Sequence, residues 1–256
     1  GPSCVVCPRT PSGANSKAVN RLIELDRGTH ADGLRGREYA GADPSEPARL
    51  VPAKGVTMNS ASTSMRYRSI DLVTIATLGV AFGVVFWGWG KLYGVIGTAG
   101  MLAYPPSGAL LGGGWIIAGV VGALIVRRPG AAVATEMIAA TVSALMPGNE
   151  WGMSTLVSGA VQGLGVELVF ALFAYRSFGP LIAMAAGAVA GAAESVYEWF
   201  SYYADWGIEH KLVHLGFFTL SGAVIAGLGG WLLVQALARA GALDSFAAGR
   251  EHVVKV

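Results

Sequence analysis

Hydrophobic and polar residues are distributed very unevenly along the chain. Up to about residue 64 the sequence mixes Gly, Pro, Ser, Ala and charged residues without a hydrophobic period. From Ile70 onward, long uncharged runs alternate with short polar breaks. A membrane-crossing helix needs about 20 mainly apolar residues at a rise of about 1.5 Å each. Residues 72–90 meet this requirement between Asp71 and Lys91, so they are predicted to form the first crossing helix.

The later uncharged runs predict five further crossing helices. The run 92–126 is interrupted by the sequence YPP at 104–106, so only its second half is long enough to cross. Residues 92–103 are therefore expected to form a long loop or a re-entrant segment. Crossing segments two to six are predicted at about 107–126, 130–147, 153–175, 179–201 and 212–238. The pattern as a whole predicts an all-α integral membrane protein with six transmembrane helices.

This membrane domain is predicted to occupy residues 65–240. Residues 1–64 cannot bury enough apolar surface to fold alone and are interpreted as a disordered extension. Its first residues could be an addition, with the natural start near Met58 or Met65. Cys4 and Cys7 form a C-x-x-C pair without the two further ligands of a zinc site, so the pair is interpreted as incidental. Residues 241–256 are predicted to be a short cytoplasmic tail.

Composition and charge support a membrane protein and exclude other classes. Of the 256 residues, 53% are hydrophobic and 13% are charged, whereas soluble domains carry about 25% charged residues. The net charge of +2 and the absence of a basic stripe argue against nucleic acid as a partner and leave membrane lipid as the expected surrounding.

The positive charges predict the orientation in the membrane. The predicted helix ends on one side carry only Lys91 and Lys211. Those on the other side carry eight positively charged residues, namely Arg66, Arg68, Arg127, Arg128, Arg176, Arg239, Arg250 and Lys255. Because cytoplasmic loops are enriched in Lys and Arg, both termini are predicted to be cytoplasmic in a multi-pass plasma-membrane protein.

Four polar residues lie inside predicted crossing helices, where they are costly and therefore candidates for function. They are Glu136, Gln162, Glu167 and Glu194. Each carboxylate shares a helical stripe with small residues, and small residues are where transmembrane helices pack closely. The carboxylates are therefore predicted to point into the bundle. For Glu136 both a structural and a functional role remain open.

The stretch ESVYEWFSYYADW, residues 194–206, adds aromatic rings to two carboxylates four residues apart. Glu194 and Glu198 share one face, and carboxylates beside aromatic faces suit a flat, positively charged heterocycle. Tyr203 and Trp206 are assigned instead to the aromatic belt at the membrane interface. Most of the other Trp, Tyr and Phe residues near the predicted helix ends, a set that includes Tyr93 and Trp151, receive the same belt assignment.

Missing motifs narrow the function further. The sequence contains no G-x-x-x-x-G-K-[ST], no H-E-x-x-H and no G-x-S-x-G, so neither direct ATP use nor a familiar hydrolase chemistry is predicted. Besides a protein that only binds its ligand, two other kinds of function remain open. One is a stand-alone ion-coupled transporter or permease for a small cationic solute, with Glu136 and Glu167 as proton carriers. The other is an intramembrane enzyme that uses Glu136, Glu167 or His214 as acid and base.

Residues 68–240 resemble a known family of transporter subunits. The resemblance rests on FGVVFWGWGKLY, RRPGAAVATEMIAA, GNEWG and, most specifically, VQGLGVELVFALFAYR. These segments resemble substrate-binding (S) components of energy-coupling factor (ECF) transporters, and more closely the YkoE family, taken to bind thiamine or its hydroxymethylpyrimidine (HMP) precursor. The resemblance implies a non-catalytic subunit without a cofactor, which works with a transmembrane coupling (T) subunit and two ATPase subunits.

The resemblance also implies where ligand and partner bind. The ligand is expected between helices four, five and six under the first loop, and the T subunit is expected on helix one. Substrate-binding positions implied in this way are Gln162, Glu167, Glu194, Tyr197, Glu198, Trp199 and His214. The implied docking positions are Ala76, Gly79, Val80 and Gly83.

Overall fold

The structure is a computed structural model that describes residues 66–100 and 102–253. Within these residues it contains helices and no strands. The α-helices are α1 (Ser69–Thr98), α2 (Ile117–Val126), α3 (Ala131–Leu145), α4 (Ser154–Leu172), α5 (Pro180–Ser201), α6 (Ile208–Ser221), α7 (Gly230–Arg239) and α8 (Ala247–Val253). A 3-10 helix, Pro105–Trp115, precedes α2, and a π-helix, Gly222–Gly229, joins α6 to α7. The predictions for residues 1–64, including Cys4 and Cys7, lie outside the described residues.

The described helices confirm an all-helical membrane protein. Five helical segments among the described residues are long and apolar enough to cross a membrane, namely Ser69–Thr98, Pro105–Val126, Ser154–Leu172, Pro180–Ser201 and Ile208–Arg239. The second segment combines the 3-10 helix with α2, and the fifth combines α6, the π-helix and α7. The remaining apolar helix, Ala131–Leu145, has 15 residues. It is about 22 Å long at 1.5 Å per residue, shorter than the hydrocarbon core of about 30 Å.

Helix α1 continues well beyond its predicted end. It comprises 30 residues and ends at Thr98. The prediction that a loop or re-entrant segment begins at residue 92 is therefore wrong. A single charged residue marks the edge of the apolar region without interrupting the backbone hydrogen bonds of the helix. Lys91 accordingly remains helical, and its amino group donates a hydrogen bond to the backbone carbonyl of Gly148. The helix ends near Gly100, which has a positive φ of 73°.

The 3-10 helix and α2 form the centre of the bundle. Every residue from Ala118 to Val126 is buried. The preceding glycines allow α6 to approach closely, because a Cβ at Gly112 would lie 2.4 Å from the Phe218 ring. The Ser221 hydroxyl joins the two elements. It accepts a hydrogen bond from Gly113 N at 2.9 Å and donates one to the Leu110 carbonyl at 2.7 Å.

Helices α1 and α3 pack through two glycines of α1. A Cβ at Gly79 would lie 2.6 Å from Cβ of Ile138, and one at Gly83 would lie 2.5 Å from Cβ of Val142. Both glycines face the interior, so their assignment to an external docking surface is wrong. Their small size brings α3 close instead. Ala76 and Val80 lie at the edge of this contact and are exposed.

Glu136 accepts a hydrogen bond at the buried start of α2. Its side chain is fully buried, and Oε2 accepts from Gly119 N at 2.6 Å. The first backbone N–H groups of an α-helix have no acceptor within that helix. The Glu136 carboxyl therefore supplies an acceptor at a helix start that water does not reach. This contact gives Glu136 a structural role, one of the two readings that the sequence left open.

The segment after α7 folds back against the bundle. Leu243, Phe246 and Ala248 are buried. The guanidinium of Arg127 makes two hydrogen bonds, of 2.5 and 2.9 Å, to the Glu251 carboxylate on α8. Residues 241–253 therefore pack as part of the helical unit, in contrast to the simple tail predicted for this region.

Candidate ligand-binding site

A cavity of about 260 Å³ lies toward one end of the bundle. Its lining comes from the last turns of α1, α3 and α5 and from the first turns of the 3-10 helix, α4 and α6. Because successive helices alternate in direction, these segments all belong to the same end of the bundle. The walls divide into an aromatic side and a polar side.

Three aromatic rings from three different elements form the aromatic side. The Tyr93 and Trp115 ring centroids lie 5.6 Å apart, those of Trp115 and Trp151 lie 5.3 Å apart, and those of Tyr93 and Trp151 lie 6.1 Å apart. All three pairs are edge-to-face, a favourable geometry for aromatic side chains. Rings arranged in this way offer a flat or cationic ligand both stacking and cation–π contacts. Tyr93 and Trp151, assigned to an interfacial belt from the sequence, therefore also line the cavity.

Asn149 fixes the loop that carries Trp151. Its Nδ2 donates to the Ser143 carbonyl at 2.9 Å, and its Oδ1 accepts from Trp151 N at 2.9 Å and from Gly152 N at 2.8 Å. An asparagine that binds backbone groups two or three residues ahead is a common turn former. The GNEWG sequence thus forms a turn that holds Trp151 in the cavity wall.

The polar side centres on Glu194. This side chain is 1% exposed and lines the cavity, with Ser158 and Gln162 as polar neighbours. Its Oε2 and the Thr155 hydroxyl are buried without a hydrogen-bond partner among the described residues. Buried polar atoms in folded proteins are nearly always hydrogen-bonded. Both atoms are available for hydrogen bonds with a molecule that occupies the cavity.

A second carboxylate, Glu198, lies one helical turn from Glu194 and interacts with His214. Nε2 of His214 lies 3.2 Å from Oε2 of Glu198. On the other side of the ring, Nδ1 lies 2.7 Å from the Ser195 hydroxyl oxygen. Glu194, Glu198, Gln162 and His214 all line the cavity, so the structure brings together four of the seven predicted binding residues.

Tyr203 and Trp206 close the site around His214. Their rings stack with centroids 3.9 Å apart, and the His214 ring lies edge-on to both. Tyr203, assigned to the interfacial belt from the sequence, lines the cavity. Burial raises the pKa of Tyr203, and the nearby Glu198 charge raises it further. The hydroxyl therefore stays protonated and can donate a hydrogen bond.

Glu167 has a different place and role from those predicted. Its two carboxylate oxygens accept from Gly130 N at 2.6 Å and from Ala132 N at 3.0 Å, at the start of α3, and Oε1 also accepts from the Tyr175 hydroxyl. Burial is the main cause that raises the pKa of Tyr175, followed by the contact with Glu167, so the hydroxyl remains a donor. Glu167 thus caps α3 at the other end of the bundle, and its assignment to the ligand is wrong.

Tyr197 and Trp199 also lie apart from the cavity lining in the described chain. An α-helix turns by about 100° per residue, so Trp199 is rotated well away from the Glu194 and Glu198 face. Tyr197 instead makes an edge-to-face contact with Tyr202 at 6.3 Å. The direct contacts of Tyr197 and Trp199 with a ligand therefore remain predictions.

The site carries no arrangement typical of a metal centre. Within the part of the chain that the structure describes, no group of three or more His, Cys, Asp or Glu side chains is placed to hold a metal ion. The lining offers aromatic rings, carboxylates and hydroxyl groups, which suit an organic ligand.

Comparison with known proteins finds relatives in sequence and in structure. The family model of the ABC-type cobalt transport system, permease component, matches residues 70–193. The protein YkoE of Bacillus subtilis (strain 168), whose name designates it an HMP/thiamine permease, is 35% identical over 183 residues, which cover 71% of this chain and 89% of YkoE. The crystal structure of an S-component of an ECF transporter superposes with a TM-score of 0.69 at 34% identity, over 74% of this chain and 95% of that one.

Proposed function

We propose that this chain, which belongs to the YkoE family of ECF-transporter S components, captures thiamine or HMP from the outer face of the plasma membrane. The observation that carries the proposal is one cavity lined both by aromatic rings and by Glu194, whose Oε2 atom has no hydrogen-bond partner among the described residues. A binding subunit of this kind performs no chemistry on its ligand, and the cavity needs only to hold it.

The cavity chemistry fits an aminopyrimidine. Its exocyclic amine would donate to Oε2 of Glu194, which is the acceptor that lacks a partner among the described residues. Its flat ring would lie among Tyr93, Trp115 and Trp151. The positive thiazolium ring of thiamine would gain from the Glu198 carboxylate, one helical turn away, through charge attraction at a site of low dielectric constant.

The proposed topology has six crossings with both termini in the cytoplasm. The short helix α3 would be the third crossing, with its ends embedded in the bundle. The end of the bundle near the cavity carries Lys91 and Lys211, whereas the opposite end carries Arg68, Arg127 and Arg128. The positive-inside tendency then places the cavity at the outer face.

Energy for transport would come from other subunits. The chain has no P-loop sequence, so ATP hydrolysis is assigned to two ATPase subunits and coupling to a T subunit. The exposed side of α1, which includes Ala76 and Val80, is the proposed docking surface. An ion-coupled transporter that uses Glu136 and Glu167 as proton carriers is less well supported, because both carboxyl groups accept hydrogen bonds from helix starts.

Fluorescence titration tests this proposal directly, because Trp115 and Trp151 line the cavity. The purified protein in detergent is titrated with thiamine and, separately, with HMP. Saturable quenching at submicromolar ligand is expected for at least one of them, and Trp151→Phe should reduce its amplitude. Absence of a response to both ligands, in protein that elutes as a folded species, would refute the thiamine and HMP assignment.

A further inference from the structure

We infer that Ser195 is a positioning residue of the binding site, which holds Glu198 in place through His214. The effect on ligand affinity rests on the proposed function, whereas the hydrogen bonds from Ser195 to His214 and from His214 to Glu198 do not depend on it. Ser195 is fully buried on α5 and lies outside the cavity lining among the described residues. Its hydroxyl oxygen is 2.7 Å from Nδ1 of His214, and Nε2 of the same ring is 3.2 Å from the Glu198 carboxylate.

The direction of the two hydrogen bonds follows from the groups involved. An ionised carboxylate only accepts hydrogen bonds, so Nε2 of His214 must carry a proton to bond with Glu198. A serine hydroxyl can donate or accept. When it donates to Nδ1, the imidazole is neutral with its single proton on Nε2. The bond at one ring nitrogen then determines which nitrogen is protonated.

Aromatic rings and one carboxylate surround His214. The ring is 2% exposed and lies edge-on to Tyr203, Trp206 and Phe218. Glu198 is the charged group that faces it in the described structure. Donation from Nε2 orients the Glu198 carboxylate and leaves its other oxygen available to a cationic ligand.

Loss of the Ser195 hydroxyl would release this arrangement. The alternative tautomer carries its proton on Nδ1 and turns the lone pair of Nε2 toward Glu198. Lone pair and carboxylate repel each other, so Glu198 would leave its position on the cavity wall. Ser195 therefore acts on the ligand without touching it, because its donation to Nδ1 reinforces the protonation of Nε2 that the bond to Glu198 requires.

Nitrogen-15 NMR of the full chain, labelled at histidine, tests the tautomer directly. The chemical shift of each ring nitrogen reports whether it carries a proton, and His214→Gln identifies the His214 signals among the four histidines. We expect a protonated Nε2 and an unprotonated, hydrogen-bonded Nδ1 in the wild-type protein. A proton on Nδ1, alone or together with one on Nε2, would overturn the inference whatever the ligand affinity.

Affinity measurements test the consequence for binding. Ser195→Ala should weaken thiamine binding about three- to tenfold, the effect of one lost hydrogen bond, and should change the Nδ1 shift. Ser195→Thr keeps the hydroxyl and should retain the wild-type tautomer. Ser201→Ala, at the exposed end of the same helix, is the matched control and should change neither quantity. Wild-type tautomer and affinity in Ser195→Ala would refute the positioning role.

The two proposals can fail separately. A wild-type protein that binds neither thiamine nor HMP refutes the proposed function, while the tautomer of His214 still decides the hydrogen-bond direction. If Ser195→Ala does not fold, the wild-type spectrum and the Ser195→Thr variant decide it instead. An unprotonated Nδ1 in both proteins supports the inference, and a protonated Nδ1 in either one refutes it.

Discussion

Oε2 of Glu167 accepts a hydrogen bond from the backbone N–H of Ala132 at 3.0 Å, which joins the interior of α4 to the first turn of α3. The other carboxylate oxygen accepts from Gly130 N at 2.6 Å. One side chain thereby satisfies two N–H groups that α3 leaves without an acceptor. A negative charge at the positive end of a helix is also favourable electrostatically. This arrangement explains why α3 can begin immediately after the tight turn at Arg127.

Replacement of this cap should reduce stability without affecting the ligand. In Glu167→Gln, the side-chain amide would point an NH2 group at one of the two backbone N–H donors. We expect a loss of about 1–3 kcal/mol in the free energy of unfolding, as for lost hydrogen bonds to a charged group. A lower thermal denaturation midpoint in detergent would show it. Reduced thiamine affinity at an unchanged midpoint would restore Glu167 to the binding site.

Glu194→Gln should have the opposite profile, with affinity lost and stability retained. The substitution puts an amide in place of the carboxyl group that accepts a hydrogen bond from the proposed ligand, and it leaves the shape of the cavity unchanged. We expect thiamine affinity to fall about 10- to 100-fold, which corresponds to about 1.5–3 kcal/mol for a charge-assisted hydrogen bond. Isothermal titration calorimetry measures the change. Glu209→Gln, an exposed carboxylate at the start of α6, is the control and should bind like wild type.

Asn149→Ala should weaken binding through Trp151. The variant loses the acceptor for Trp151 N and Gly152 N and the donor to Ser143. The loop would then sample several conformations, and the ligand would have to order it again on binding. We expect a several-fold loss of affinity and a weaker near-ultraviolet circular dichroism signal from Trp151. An unchanged aromatic signal together with full affinity would show that Asn149 does not position this wall.

Two glycines of α1 allow a matched test of helix packing. Gly83→Ala would place a methyl group 2.5 Å from Cβ of Val142, so α3 would have to move. We expect destabilisation of about 1–3 kcal/mol, typical of overpacking. Gly88→Ala meets no heavy atom within 4 Å in the described structure and should be neutral or stabilising by up to about 1 kcal/mol. Equal thermal midpoints for the two variants would contradict the close α1–α3 contact.

Several features of the protein could be predicted from its sequence because they depend on local patterns. Runs of apolar residues follow directly from the need to bury helix surface in lipid, so the positions of the apolar helices were predictable. Periodicity within one helix places Glu194 and Glu198 on the same inward face, and the structure confirms that both line the cavity.

Other features depend on which residue of a neighbouring helix a side chain contacts. The spacing of residues along one helix does not reveal that contact partner. Gly79 and Gly83 were correctly identified as a close-packing pair, but only the tertiary structure shows that their partner is α3 within the same chain. Glu167, like Glu194, lies on the inward face of its helix beside small residues. Its carboxylate nevertheless accepts hydrogen bonds from backbone N–H groups, whereas Glu194 lines the cavity.

The remaining site residues come from segments whose geometry is set by distant contacts. The 3-10 helix contributes Trp115 because its glycines lie against α6, and the loop before α4 contributes Trp151 because Asn149 is hydrogen-bonded to α3. The sequence by itself thus determined the class of protein, its apolar helices and the acidic face of α5. The tertiary structure alone decided which side chains share the cavity, because a hydrogen bond or a van der Waals contact requires two surfaces and a single helix supplies only one.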